Sequence, residues 1–436
     1  MRSNVISVPN KYIQFILTAA TRKIFVQTKR DINTKITMDY NVNNINAANV
    51  LHWNYRGFTE FPLHRIEGEE TDVTDIYLKE NLITRVPSDI GKLENLESLY
   101  LSGNDITELP REISKLKCLK CLDLSGNRLR SIPNEIGEVR NLKFLILDEN
   151  DLFQLPLRLA DLRALRYLSV CDNKLQWLAQ RPVYNYHHCE FRFWRNVGLQ
   201  TIPYSLWYHM FREQQTRSLN IGCLNVPKCQ YIPGTPKCRL QLKQGSRGWD
   251  IDIQFPPQYS HIIENDRPSP PSLFELSKRV LYEIITLAAK NLSTTPRSIY
   301  SDGWNGKRTD QDNNNVSNLQ EYLEGFNRIA SDFNGYGPLS PLSKRRYYSA
   351  AELIEEYYCY LPSFIKDDLC NGPVSRCENA YCRKPVFDHV LYEFCLEKII
   401  LIDKTEEVIL SAAFCSKSCA DSWKLGKSSI LSWTCC

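Results

Sequence analysis

From Leu51 onward the apolar positions of this chain fall into blocks. Aligned, they read LHWNYRGFTEFP, IYLKENLITRVP, LYLSGNDITELP, LDLSGNRLRSIP, LILDENDLFQLP, LSVCDNKLQWLA and FRFWRNVGLQTIP. From the second block on, each begins 23 residues after the last, at Ile76, Leu99, Leu122, Leu145, Leu168 and Phe191. The two leading apolar residues of a block alternate with other types, so both point to one side of a short strand. An Asn follows, at Asn81, Asn104, Asn127, Asn150, Asn173 and Asn196, where the chain must turn. A buried amide there can satisfy backbone groups of adjacent turns. No block can bury its own apolar side, so the blocks must stack.

The pattern LxLxxNxLxxLP is that of leucine-rich repeats. It predicts an α/β solenoid, a horseshoe of about seven coils with a parallel sheet on its concave face. The first block has Arg56 in the Asn position and the last carries an extra residue around Gly198, as capping coils do. Residues between the inward leucines face outward on the sheet. Tyr77, Tyr100, Asp123, Phe144, Ile146, Tyr167, Arg192 and Trp194 are the candidate partner-binding residues there. Clustered exposed apolar and aromatic side chains mark interaction surfaces. The competing reading is that the aromatics only pack on one another across strands. Cys118 and Cys121 occupy places the repeat already explains, and are structural.

After Pro203 the period is lost. SLWYHMFREQQ reads as a closing helix, and 215–271 as an irregular Pro/Cys-rich connector whose Cys223, Cys229 and Cys238 are loop cysteines. PPSLFELSKRVLY at 270–282 then begins an amphipathic helix of about four turns. Ser272 is placed as its N-cap, with Glu275 completing a capping box. Leu273, Leu276, Val280 and Ile284 recur at helical spacing, with Leu281 and Leu287 beside them. Periodicity does not say what this stripe packs against. Residues 293–347 are polar and rich in breakers, and are expected to be a largely disordered insertion. Helical pattern returns at AELIEEYYCY and stops at LPSFIKDDL.

CENAYC at 377–382 and CSKSC at 415–419 flank two apolar runs that read as a β-hairpin. Cys377, Cys382, Cys415 and Cys419 can supply four thiolates in a tetrahedron, which suits structural Zn²⁺. Such a closed site leaves no position for water and predicts no catalysis. The competing reading is four buried thiols. Cys370 and Cys395 are spare candidates. The smaller C-terminal domain is therefore expected to be mixed α+β with a zinc-ribbon-like hairpin, over 348–428, followed by a tail over 429–436.

Composition changes little of this. The chain has 436 residues, and a net charge of +4 is too small to suggest nucleic acid. No apolar run reaches the ~18 residues of a membrane span. The acid-poor segment up to Arg30 reads as part of a leader over 1–49, with Met38 as an alternative start. Without a secretory signal the 16 cysteines are expected to be thiols and metal ligands. No GxSxG, P-loop, GxGxxG or HExxH occurs, so no catalytic residue is assigned. Cys435 and Cys436 at the end could carry a lipid, the one route to a membrane.

WNYRGFTEFP, GLQTIPYSLW, PPSLFEL and the paired-cysteine tail, in this order, resemble the intracellular leucine-rich-repeat-containing proteins 28 and 58. The resemblance covers most of 50–420 apart from the polar insertion, and implies a cytoplasmic protein. In its light, SLFELSKRVL looks like a BC-box, the helix that docks the elongin B/C adaptor. Ser272, Leu273, Ser277 and Leu281 match it in register, with Leu276 on the same stripe. LPSFIKDDL resembles a cullin box through Leu361, Pro362, Ile365 and Leu369. The resemblance thus implies a substrate receptor of a cullin-RING ubiquitin ligase, its protein substrate held on the repeats within 50–214. About eighty residues separate the two boxes, so the insertion must loop out if the 272–292 helix is to meet the second; loop-closure entropy rises only slowly with length. The alternatives are a signalling scaffold without a ligase role and a helix covered by the chain's own domain.

Overall fold

A computed structural model describes residues 49–68, 70–179, 189–206, 236–244, 247–263, 270–294, 348–400, 405–425, 427 and 429–435. The leader, the expected closing helix from Trp207 on, Cys223, Cys229, the insertion from 295 to 347 and Cys436 lie outside the described residues.

The blocks form seven three-residue strands. They are β1 (Val50–His52), β2 (Asp75–Tyr77), β3 (Ser98–Tyr100), β4 (Cys121–Asp123), β5 (Phe144–Ile146), β6 (Tyr167–Ser169) and β7 (Glu190–Arg192), stacked in chain order as one parallel sheet. The constant spacing keeps equivalent residues side by side, Ile76 with Leu99 and Leu99 with Leu122. From β2 on their inward side chains are fully buried, and Leu51 of β1 is half-buried against them.

The Asn column does what its chemistry predicts. Asn127 Nδ2 donates to Leu101 O of the preceding coil and Leu124 O of its own, both at 2.9 Å. Its Oδ1 accepts from Ile106 N at 3.0 Å. Asn104, Asn150, Asn173 and Asn196 repeat the arrangement. Each amide thereby ties two coils together. The convex return of the coils runs through short 3-10 turns, Ser88–Lys92, Arg111–Lys115, Asn134–Glu138 and Leu157–Asp161. An extended proline precedes each, fixing φ at the entry. The third residue of each turn, Ile90, Ile113, Ile136 or Leu159, drops into the core.

The last coil continues into a second sheet. Its β8 (Ile202–Pro203) pairs in parallel with β15 (Thr405–Phe414) through Leu410 and Ser411. β15 forms a long antiparallel hairpin with β14 (His389–Ile400). The sheet runs on through β16 (Ile430–Cys435), β9 (Lys237–Gln244) and β10 (Arg247–Gln254), and β11 (His261–Ile263) joins β14 in parallel. Cys395, Ile399, Val408 and Leu410 share one apolar core with the repeats.

Two segments differ from expectation. Part of the connector is the β9–β10 hairpin, and Cys238, read as a loop cysteine, is a fully buried strand residue. Cys238, Leu240 and Leu242 alternate with polar residues, which buries one face of a strand. Residues 430–435, expected as tail, bridge β9 and β14, and set Cys435 opposite Cys238.

Four helices complete the C-terminal part: α1 (Leu273–Thr294), α2 (Ala350–Tyr357), α3 (Ser363–Asn371) and α4 (Lys417–Lys424). α1 has 22 residues, longer than the four turns expected. It packs on α2 and α3 around Ile285, Ala288, Ala289, Leu353, Ile354 and Leu369. Ser272 caps it, accepting from Glu275 N at 3.1 Å, but the Glu275 carboxyl turns inward and leaves the box half made. The complete capping box is at α2, between Ser349 and Glu352. Two short strands, β12 (Ser375–Arg376) and β13 (Pro385–Val386), pair ahead of β14.

Candidate docking surfaces and metal centre

The parallel register of the repeat sheet lines its outward side chains up in columns. His52, Tyr77 and Tyr100 stack in series, with ring centroids 4.9 and 4.6 Å apart. Lys79 Nζ lies 4.8 Å above the Tyr100 ring and 3.3 Å from Asp123. Burial and a bond to Cys121 push the Tyr100 phenol up to about 12. Further along, Arg192 sits over Tyr167 at 5.3 Å and bonds Glu190. Phe144 is 45 % exposed, with Ile146 half-buried beside it.

Two of the eight candidates are not open to a partner. Trp194 is 5 % exposed and packs against Phe193 in the core. Asp123 is 6 % exposed and accepts from the Ser125 hydroxyl at 2.7 Å. The aromatics do pack on one another, as the competing reading had it, and still leave a half-open surface.

The first turns of α1 are inverted relative to an ordinary surface helix, while Ile285, Ala288 and Ala289 of its far half are buried in the ordinary way. Its apolar stripe points to solvent: Leu273 is 81 % exposed, Val280 56 %, Leu287 47 % and Leu276 43 %. The charged residues of its first turns point inward, with Glu275 at 0 %, Lys278 at 3 % and Arg279 at 5 %. Buried charges must be paired and hydrogen-bonded, and these are. Arg279 Nε donates to Glu275 at 2.6 Å. Lys278 Nζ donates to Asp368 at 3.0 Å and Asp388 at 3.2 Å. Burial, with Asp388 alongside, pushes the Glu275 carboxyl up to about 7. The Glu275/Arg279 spacing is visible in the sequence as an i,i+4 pair, but nothing there says that it turns inward.

The second motif segment lies against the first. Lys278 reaches Asp368 on α3, and the Phe274 and Phe364 rings are 6.2 Å apart. Phe364 is exposed and extends the apolar surface of α1; neither ring was among the candidates. Ser272, Ser277 and Pro362 are exposed, Leu281, Leu361 and Ile365 are half-buried, and Leu369 is fully buried in the helical core.

The four tail cysteines converge. The Sγ atoms of Cys377, Cys382, Cys415 and Cys419 all lie within 4.8 Å of one another. Cys415 Sγ is 3.5 Å from that of Cys382 and 3.8 Å from that of Cys419. Thiolates at about 2.3 Å from a tetrahedral ion stand about 3.8 Å apart, so these residues fit Zn²⁺. The crowding splits their acidities. Bonds from Cys377 and its neighbours hold Cys415 down to about 5. The bond to Cys415 together with burial pushes Cys377 up, and burial raises Cys382 to about 11. Cys395 sits in the repeat core and Cys370 beside Glu355, both apart from the cluster.

A family model described as a leucine-rich repeat region matches residues 76–180. A comparison with curated proteins finds no match. Among solved structures, the chain is similar to a leucine-rich-repeat protein of Leptospira interrogans, at 24 % identity over 35 % of this chain and 44 % of that one, TM-score 0.29. It is also similar to the plant peptide hormone receptor RGFR1 in complex with RGF2, at 31 % identity over 24 % and 18 %, TM-score 0.23. A third is the ectodomain of the receptor kinase SOBIR1 from Arabidopsis thaliana, at 30 % identity over 28 % and 68 %, TM-score 0.26. The chain spans less than half the length of the first two. With the matched region and the coils described above, the protein is a leucine-rich-repeat solenoid, a non-catalytic class of interaction scaffold, joined to a smaller domain with a four-cysteine cluster. No helix among the described residues is long and apolar enough to cross a membrane.

Proposed function

We propose that this chain is a scaffold that holds one protein on its concave repeat face and a second on the outward face of α1. The inversion of α1 carries this reading. Fully burying a Leu or Val side chain is worth about 1.5–3 kcal/mol. A helix that buries Glu275, Lys278 and Arg279 while leaving Leu273, Leu276 and Val280 outside forgoes that gain within its own chain. The gain becomes available on binding.

A finer reading is a substrate receptor of a cullin-RING ubiquitin ligase. Leu273, Leu276, Ser277 and Leu281 would meet elongin B/C, with the Leu361–Leu369 segment toward the cullin. It is favoured by the nearness of the two motifs, Phe274 to Phe364 and Lys278 to Asp368, across the long insertion. The repeat face would then hold the protein substrate. In this reading the chain is cytoplasmic, and its thirteen described cysteines, all free thiols, suit a reducing compartment. The four-cysteine cluster holds structural Zn²⁺ and has no catalytic part.

The test is capture by the full chain followed by mass spectrometry. Leu273→Asp is expected to abolish elongin B/C capture and to leave stability within about 0.5 kcal/mol, since the site is exposed. Partners of the repeat face are expected to persist, and to be lost instead in Phe144→Asp. Unchanged elongin B/C capture by Leu273→Asp, or none by the wild type, would sink the receptor reading and leave the scaffold.

A further inference from the structure

The two halves of the cysteine cluster come from distant segments, and one buried pair on α1 touches both. Cys377 and Cys382 sit on a loop closed by β12 and β13, where Cys377 N donates to Lys384 O at 2.9 Å. The chain leaving that loop passes Phe387 and Asp388, whose N–H groups donate to the Glu275 carboxyl at 3.1 and 3.3 Å. Cys415 follows β15, and Cys419 is on α4. The Cys415 carbonyl accepts from Arg279 Nη1 at 3.1 Å, and the His389 carbonyl from Nη2 at 2.6 Å. Glu275 and Arg279, one helical turn apart, bond each other.

We propose that metal held by the four cysteines fixes the position of the first turns of α1, through the Glu275–Arg279 pair, and so controls how the outward stripe is presented. The functional meaning rests on the docking reading of that stripe; the coupling itself does not. An ion bound by all four thiolates holds the Cys377–Cys382 loop against the Cys415 end of β15. The two N–H groups and two carbonyls then stand at fixed positions, and the ion pair bridges both sets. When the ion leaves, the loop and strand end can part, and the buried pair cannot keep both its Cys415 contact and its contacts to Phe387, Asp388 and His389. Buried charge without partners is unstable, so the first turns of α1 release. Among the ties that remain there are Lys278 to Asp368 and Asp388 and the Phe274–Phe364 contact. The far half of α1 is held by Ile285, Ala288 and Ala289 in a separate apolar cluster, so the release stops short of it. Coupling of this kind is reciprocal: the factor by which metal favours the ordered first turns is the factor by which their order raises the affinity for metal.

The experiment uses the full chain loaded with zinc. Hydrogen exchange is followed over 273–281 with and without a strong chelator. Zinc affinity is measured by equilibrium competition with a chromophoric chelator for wild type, Arg279→Met and Leu273→Asp. Stripping is expected to speed exchange in 273–281 and leave 76–180 unchanged. Arg279→Met is expected to bind zinc roughly tenfold more weakly, and Leu273→Asp to match wild type. Unchanged exchange on stripping, equal acceleration across the repeats, failure to bind zinc, or wild-type zinc affinity in folded Arg279→Met would each overturn the coupling. Should Arg279→Met not fold, the stripping arm decides alone. Normal elongin B/C capture by Leu273→Asp would remove the receptor reading and leave the coupling standing.

Discussion

The residue just before each column Asn is held in the left-handed region. Glu80, Glu149, Asp172 and Arg195 have φ between 53° and 60°, and Gly103 and Gly126 have 70° and 64°. Only glycine adopts this backbone freely. Glu149→Gly is therefore expected to raise stability by about 0.5–1 kcal/mol, and Gly126→Ala to lower it by about 1 kcal/mol, read as opposite shifts of the urea midpoint. At Gly126 the nearest atom to an added methyl is 3.5 Å away, so the cost there is conformational and not steric. The Asn column was legible because a buried amide has one job at that turn. Its neighbour was not, because Glu149 and Arg195 carry no mark of positive φ, and only Gly103 and Gly126 hinted at it.

At the scale of elements, a helix or strand was legible where its period was unbroken. The repeat strands and α1 announced themselves through spacing. The β9–β10 hairpin also alternates, but Pro, Gly and Lys around it mask the signal. Periodicity found the apolar stripe of α1 and could not say which way it faces. That is decided by where Glu275 and Arg279 find partners, on Phe387, Asp388, His389 and Cys415, more than a hundred residues on. The four-cysteine site was legible for a related reason, since the ligand pairs bracket one hairpin. On the convex side, neighbouring turns approach so closely that a methyl at Gly137 would overlap the backbone carbonyl of Arg158. Backbone cannot swing away like a side chain. Gly137→Ala is expected to cost about 1–3 kcal/mol, measured by chemical denaturation.

Across the described residues, the repeats are fastened to the C-terminal part at two separated stations. One is the last coil, where β8 enters the second sheet beside Leu410. The other is the convex flank, where Asn134 Nδ2 donates to Asn371 at 2.8 Å and Arg140 pairs with Glu352. A stack of coils is otherwise indifferent to how many it holds, because each touches only its neighbours. Here the stretch from Asn134 to Ile202 works as a caliper whose jaws are already set. A duplicated 23-residue coil placed ahead of Asn134 is expected to leave both stations joined and to unfold in the same number of transitions as the parent. The same coil placed between β5 and β6 would open the jaws by one sheet spacing, about 4.8 Å, and is expected to free one station, seen as faster hydrogen exchange in α2 and α3. The number of repeats is thus a dimension of this protein on one side of Asn134 and a free parameter on the other.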